Sequence, residues 1–161
     1  MSGYYNVASG KKWEKMNYFG TFDRSLDEKG RLQLPTKLIG KDNESFTLVK
    51  GLDGCMSIYD QEGFQKFMDI LNGLDQFDAD TRAFLRLTTA SICPLKFDSH
   101  GRILFSKEIL EAYGIEPKGR ITIIGALDHF EVWDPAAYMR YSMRNSFQYE
   151  SLAAKVKRNN G

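Results

Sequence analysis

SLDEKGRLQLP, from Ser25 to Pro35, is the stretch that decides the fold. Asp27 and Arg31 stand four residues apart across a turn at Gly30, and Leu32-Gln33-Leu34 follows with the alternation of a half-buried strand. Gly30 can take the positive φ of a tight turn at little steric cost. Pro35 ends the ladder and opens a short predicted helix, Thr36 to Ile39. One such hairpin is ordinary. A second copy stands at Lys96 to Ile109, KFDSHGRILFSKEI, where Asp98, Gly101 and Arg102 match Asp27, Gly30 and Arg31 at an offset of 71 (98 − 27). In the same frame Ile103, Phe105 and Ile109 match Leu32, Leu34 and Leu38.

The repeat extends further. GLDGCMSIYD at Gly51 to Asp60 matches GALDHFEVWD at Gly125 to Asp134 at an offset of 74 (125 − 51), so the second copy gains three residues near Tyr113 to Lys118, where a loop is expected. A unit of about seventy residues exceeds the roughly 20–50 of a solenoid repeat, so the chain reads as a duplicated module. The expected organisation is a flexible extension over residues 1–15, a first module with its following helices over 16–90, and a second with a C-terminal helix over 91–161. The matched Leu34/Phe105 and Val49/Ile123 positions predict one α+β core shared by both copies.

Between the motifs the pattern predicts strands at 17–24, 46–50, 55–59, 92–97, 102–105, 120–125 and 130–133. Helices are predicted from Asp60 to Asn72, over 79–91, from Ser106 to Tyr113, and as one long polar helix from Asp134 toward Val156. Asp60, Asp78 and Ser106 are placed to cap three of them. In the long helix Tyr138, Tyr141, Phe147 and Tyr149 suggest a contact between subunits.

Composition narrows the class of protein. With 161 residues, 42% hydrophobic and 13% aromatic, the chain can bury a sizeable core. No run of eighteen apolar residues occurs, no secretory leader pattern opens the sequence, and Cys55 and Cys93 match no metal or redox spacing; a cytosolic protein with reduced thiols is expected. The net charge is +1, distributed as +4 over residues 1–41, −5 over 42–91 and +2 over 92–161. That uneven balance hints at polyanion contact through part of the surface.

An arginine presented on a glycine turn can address a base edge or a phosphate with two donors, which lysine cannot do. Asp27 and Asp98 can each pair with the arginine of their own turn and fix it. The plainer alternative is that both pairs only staple their hairpins. Arg82 and Arg86, on one face of a helix, could bind phosphate or simply face solvent.

The two motifs LDEKGRLQLP and FDSHGRILF, with GLDGCMSIYD, GALDHFEVWD and the intervening LRLTTASICPLKFD, resemble the MraZ family of bacterial transcriptional regulators over about residues 17–150. That resemblance implies two AbrB-like (SpoVT-type) modules folded as a pseudo-two-fold, swapped-hairpin β-barrel with flanking helices, in chains assembled into rings. It implies double-stranded DNA as partner, bound at short direct repeats in the protein's own promoter, ahead of the division and cell-wall gene cluster. A cytoplasmic, nucleoid-associated protein without cofactor, metal, substrate or membrane follows from it. Carried onto this sequence, the DNA-binding residues are Arg31 and Arg102, supported by Lys29 and Lys37, with Asp27, Gly30, Asp98 and Gly101 structuring the turns. Among the departures from strict repetition, Ser106 stands where Pro35 does and His100 where Lys29 does; the second leaves open whether both loops bind equally.

Two other classes fit less of the sequence. For an enzyme, Asp23, Asp27 and Asp98 offer carboxylates, but two of them have matched arginine partners and no nucleophile lies in a recognisable elbow. His100, His129 and the two cysteines match no zinc spacing. A ring or scaffold that binds only protein would use the same aromatic helix.

Overall fold

The computed structural model describes residues 18–38 and 45–160, together with two short strands, β1 (Tyr5–Asn6) and β2 (Lys11–Lys12), that pair antiparallel. The rest of the extension expected at residues 1–15 lies outside these residues, as does Ile39, and of Lys37 only the backbone is described. The first motif joins β3 (Thr21–Ser25) to β4 (Arg31–Gln33), and a single 3-10 turn, Thr36–Leu38, follows Pro35. Next come β5 (Phe46–Lys50), β6 (Met56–Tyr59), α1 (Gln61–Asn72) and α2 (Ala79–Ala90). The second copy runs β7 (Cys93–Leu95), β8 (Arg102–Leu104), α3 (Lys107–Ala112), β9 (Arg120–Gly125), β10 (Phe130–Trp133), α4 (Pro135–Ser146) and α5 (Tyr149–Asn159).

The sheet order shows how the copies combine. Six antiparallel strands run β3-β9-β10-β6-β5-β7, and β4 pairs with β8 in a separate ribbon. Exchanging each strand for its repeat counterpart, β3 for β7, β5 for β9 and β6 for β10, reproduces the same order backwards. The first strand of each module therefore pairs with the third strand of the other. A pseudo-two-fold axis passes between β6 and β10 and between β4 and β8.

Burial follows the repeat. Leu32, Leu34, Ile103 and Phe105 from the motifs join Phe46, Leu48, Met56, Ile58, Ile121, Ile123, Phe130 and Val132 from the sheet in one core. Phe130 meets the rings of Phe46 and Tyr18 at 5.4 and 5.8 Å. Truncating such a ring to alanine costs about 3–5 kcal/mol. Two repeat equivalences shift by one residue. The counterpart of Ile123 is Leu48 and not the expected Val49, because Leu48 pairs with Ile58 where Ile123 pairs with Val132. Leu38 is buried too, but its counterpart in the core is Leu110 and not Ile109, which is half-buried. The cause of this second shift is local. Ser106 accepts a hydrogen bond from the Ile109 N–H at 3.2 Å and starts a true α-helix, whereas Pro35 is followed by the tighter 3-10 turn.

Asp60 and Asp78 cap α1 and α2 as the sequence predicts, accepting from Gly63 N at 2.7 Å and Thr81 N at 2.8 Å. Asp60 does a second job, accepting the buried Tyr18 hydroxyl at 2.7 Å. The long helix expected from Asp134 to Val156 is instead two helices, broken at Phe147-Gln148. Asn145 and Ser146 turn their side chains onto the carbonyls of Tyr141 and Ser142, and such local bonds compete with the helical ladder.

Hydrogen bonding leaves the sheet open, with β3 and β7 at its edges, so the expected closed barrel is not what the strands form. Pro94 lies within β7 and has no N–H to extend the ladder, and four of the five β3 residues are exposed. The β4–β8 ribbon covers the core in place of a closing ladder. Because every edge pairing crosses between modules, residues 16–72 expressed alone should aggregate, dimerise or melt without cooperativity, as followed by circular dichroism and light scattering. A monomeric fragment with a sharp melting transition would contradict a shared core.

Candidate nucleic-acid interface

Each motif is a β-turn held by its aspartate. In the first, the Gly30 N–H donates to the Asp27 carbonyl at 3.0 Å, and the Asp27 N–H to the Arg31 carbonyl at 3.1 Å. The Asp27 carboxylate accepts the backbone N–H groups of Lys29 and Arg31, both at 2.9 Å, while its other oxygen takes Arg31 Nε at 2.6 Å. The second turn repeats the pattern: Asp98 accepts His100 N at 2.8 Å, Arg102 N at 2.9 Å and Arg102 Nε at 2.9 Å. These bonds to the ionised form, the backbone N–H of Arg31 or Arg102 foremost, hold both carboxyls below their ordinary range. The expected Asp–Arg pairings are therefore present in both copies.

The ribbon brings the turns together. In β4–β8, Arg31 stands opposite Leu104, Leu32 opposite Ile103 and Gln33 opposite Arg102. Arg102 Nη1 reaches Asp27 across the module boundary at 3.7 Å, so Asp27 serves both arginines. Both arginine side chains are about a quarter exposed, with Nε committed to their own turn. The turn centres are Glu28-Lys29 and Ser99-His100, so the arginines sit at the base of each turn and not at its tip, as the first strand residue after it. Lys29 and His100 occupy the tips. Gln33 and Leu104, which the repeated motif does not single out, share the outer face with the arginines; their signal in the sequence is being the outward positions two residues after each arginine.

Gly30 and Gly101 have φ of +77° and +73°. A Cβ on Gly30 would lie 2.7 Å from the Phe105 carbonyl oxygen, whereas one on Gly101 would meet open space. Alanine at either costs about 1–2 kcal/mol for the left-handed backbone. Gly30→Ala should lose distinctly more, because the Phe105 backbone must move, and urea denaturation midpoints should rank it below Gly101→Ala. Equal midpoints would mean the turns are looser than this contact implies.

The other candidates serve structure. Arg82 Nη1 donates to the carbonyls of Gln76 and Phe77 at 3.1 and 2.9 Å, clamping the start of α2. His129 stacks on Tyr59 at 4.8 Å between ring centroids, with Nδ1 2.7 Å from Asp128. Burial alone would lower its pKa, but the bonds to Glu131 and Asp128 prevail and raise it. Asp23 accepts from the Thr122 hydroxyl at 3.2 Å, away from Asp27 in its own pairing. No helix among the described residues is long and apolar enough to cross a membrane.

Fold and site together define a class, a duplicated α+β protein whose modules exchange strands and set two Asp–Arg turns side by side. The family model described as "MraZ protein" matches residues 18–87 and again 93–160, one match per copy. Among curated relatives, the "Transcriptional regulator MraZ" of Acetivibrio thermocellus is 34% identical over 139 residues, 86% of this chain and 96% of the relative. Those of Heliobacterium modesticaldum and Mesoplasma florum are each 32% identical, covering 86% and 88% of this chain and 96% of each relative. The chain belongs to the MraZ family.

Proposed function

We propose that this chain is a sequence-specific DNA-binding transcriptional regulator that acts through its paired Asp–Arg turns. The observation that carries the reading is the pairing itself: two arginines, each fixed through Nε by its own turn, abut on one ribbon with Nη donors left over for a partner. The names of the relatives support regulation of transcription. Arg31 and Arg102 address base edges, Lys29 and Lys37 the backbone, and Asp27, Gly30, Asp98 and Gly101 hold the turns. The target is a set of short direct repeats in the protein's own promoter, ahead of the division and cell-wall gene cluster, and the protein works in the nucleoid as a ring of subunits. Within each subunit, the exchanged strands and the covering ribbon act as a barrel-like core formed by residues 16–90 and 91–161 together.

The near-zero net charge suits this arrangement, because an assembly multiplies weak sites through effective concentration. The test is a gel shift on the upstream region of its own gene, repeated at increasing salt. A slow band that survives competition by unrelated DNA is expected. A band lost equally to any competitor, or none at all, would favour a scaffold that binds only protein.

A further inference from the structure

We propose that Gln33 and Leu104 are base-reading residues that give an otherwise two-fold DNA reader its direction, an inference that rests on the DNA-binding reading above. In the β4–β8 register Leu32 and Ile103 point inward and are almost wholly buried. Strand alternation then puts Arg31, Gln33, Arg102 and Leu104 together on the outer face. A two-stranded ribbon is one of the shapes that B-DNA's major groove admits. The outer face thus offers four side chains to base edges, where the arginines alone offer two.

The pseudo-two-fold axis exchanges Arg31 with Arg102 and, at the same offset of 71 (104 − 33), Gln33 with Leu104. The arginine pair obeys the symmetry; the second pair breaks it. A glutamine amide can bond adenine N6 and N7 together, whereas a leucine can only make apolar contact with a thymine methyl. Internal structure gives neither residue another task. The Gln33 amide has no hydrogen-bond partner among the described residues, and Leu104 is 52% exposed although it lies in a strand. The Arg102–Asp27 contact adds to the asymmetry, because Arg31 makes no equivalent reach to Asp98 among the described residues.

Direction matters for the target. A symmetric reader matches a palindrome, since operator symmetry mirrors protein symmetry. Direct repeats all point one way, so each subunit must tell one direction of its site from the other. The Gln33/Leu104 difference supplies that distinction at the two ends of the ribbon, where Gln33 lies opposite Arg102 and Leu104 opposite Arg31.

The experiment selects preferred sites from a randomised duplex pool, using the full chain as parent, Gln33→Leu, Leu104→Gln and the double exchange. The parent should select an asymmetric site. Gln33→Leu should lose an adenine preference at one position by about 5- to 150-fold, the discrimination of one bidentate pair, and approach a palindrome. Leu104→Gln should gain a second adenine, and the double exchange should recover an asymmetric site with the two positions reversed. Melting temperature and salt slope should stay at the parent's values, because both side chains are uncharged and exposed. Variants that select the parent's site overturn the inference, as do variants that weaken all DNA alike. A parent that selects no sequence overturns the DNA-binding reading itself, a separate and recognisable failure.

Discussion

Arg31→Ala is expected to keep its fold and its oligomeric state while losing most of its affinity for the upstream repeats. Its ion pair with Asp27 is partly solvent-exposed, so removing the guanidinium should cost little stability. The loss in binding is larger. A base-directed arginine is worth about 1–3 kcal/mol and relaxes sequence choice when removed. Because the substitution enters every subunit, two engaged subunits already bring the loss to about 2–6 kcal/mol, and effective concentration carries it further. Arg102→Ala should weaken binding too, with a lower melting temperature, because Arg102 spans both aspartates. Lys29→Ala provides the contrast. Removing a phosphate-directed ammonium from a turn tip should weaken cognate and scrambled DNA alike and flatten the salt slope by about one unit per site. Fluorescence anisotropy against cognate and scrambled duplexes at several salt concentrations separates these patterns. If Arg31→Ala and Arg102→Ala both bind as the parent does, the motifs are staples and nothing more.

The duplication was legible because it is written twice. The offset of 71 puts motif against motif, and Leu32, Leu34, Ile103 and Phe105 all lie in the core as their alternation requires, whereas Leu38 and Val49 each fall one residue out of structural register. The Asp–Arg pairing in each turn followed from four-residue spacing around a glycine, which leaves the side chains few other partners. Strand exchange was not legible from the residues alone, since Leu48 and Ile123 carry the same alternation whichever module their neighbours come from. The family resemblance implied a swapped-hairpin barrel; the strands do pair between the copies, but closure depends on edge hydrogen bonds that Pro94 interrupts. The break at Phe147-Gln148 was hidden because neither residue is glycine or proline; the side chains of Asn145 and Ser146 make it. The arginines' place at the base of each turn was hidden too. Sequence spacing marks a turn but does not tell which residue forms its apex, and Arg102's reach to Asp27 depends on the ribbon register.

That register fixes one subunit, and the exposed helices bear on how many subunits act together. Light scattering should report a mass several times 18.4 kDa, because apolar side chains stand out from both helical pairs. Phe77, between α1 and α2, is 95% exposed, and Phe147, between α4 and α5, is 93% exposed. Tyr138 and Tyr141, expected from the sequence to face another subunit, instead pack on Trp133 at 5.3 and 5.2 Å, which leaves Phe147 and Tyr149 as the available aromatics. The helical pairs are related by the pseudo-two-fold but differ in sequence, so α1–α2 of one subunit meeting α4–α5 of the next makes a head-to-tail contact, and such contacts close into rings when the rotation allows. Replacing Phe77 and Phe147 together by serine should lower the mass toward one subunit without lowering the melting temperature, since neither ring belongs to the core. Affinity for a multi-repeat duplex should then fall by about 10²–10⁴-fold, the scale of lost multivalency, while affinity for a single repeat should hardly change. A parent that scatters as a clean monomer at micromolar concentration would remove the ring. A monomeric double variant that still binds the repeats as tightly as its parent would leave the ring standing but cut its link to DNA recognition.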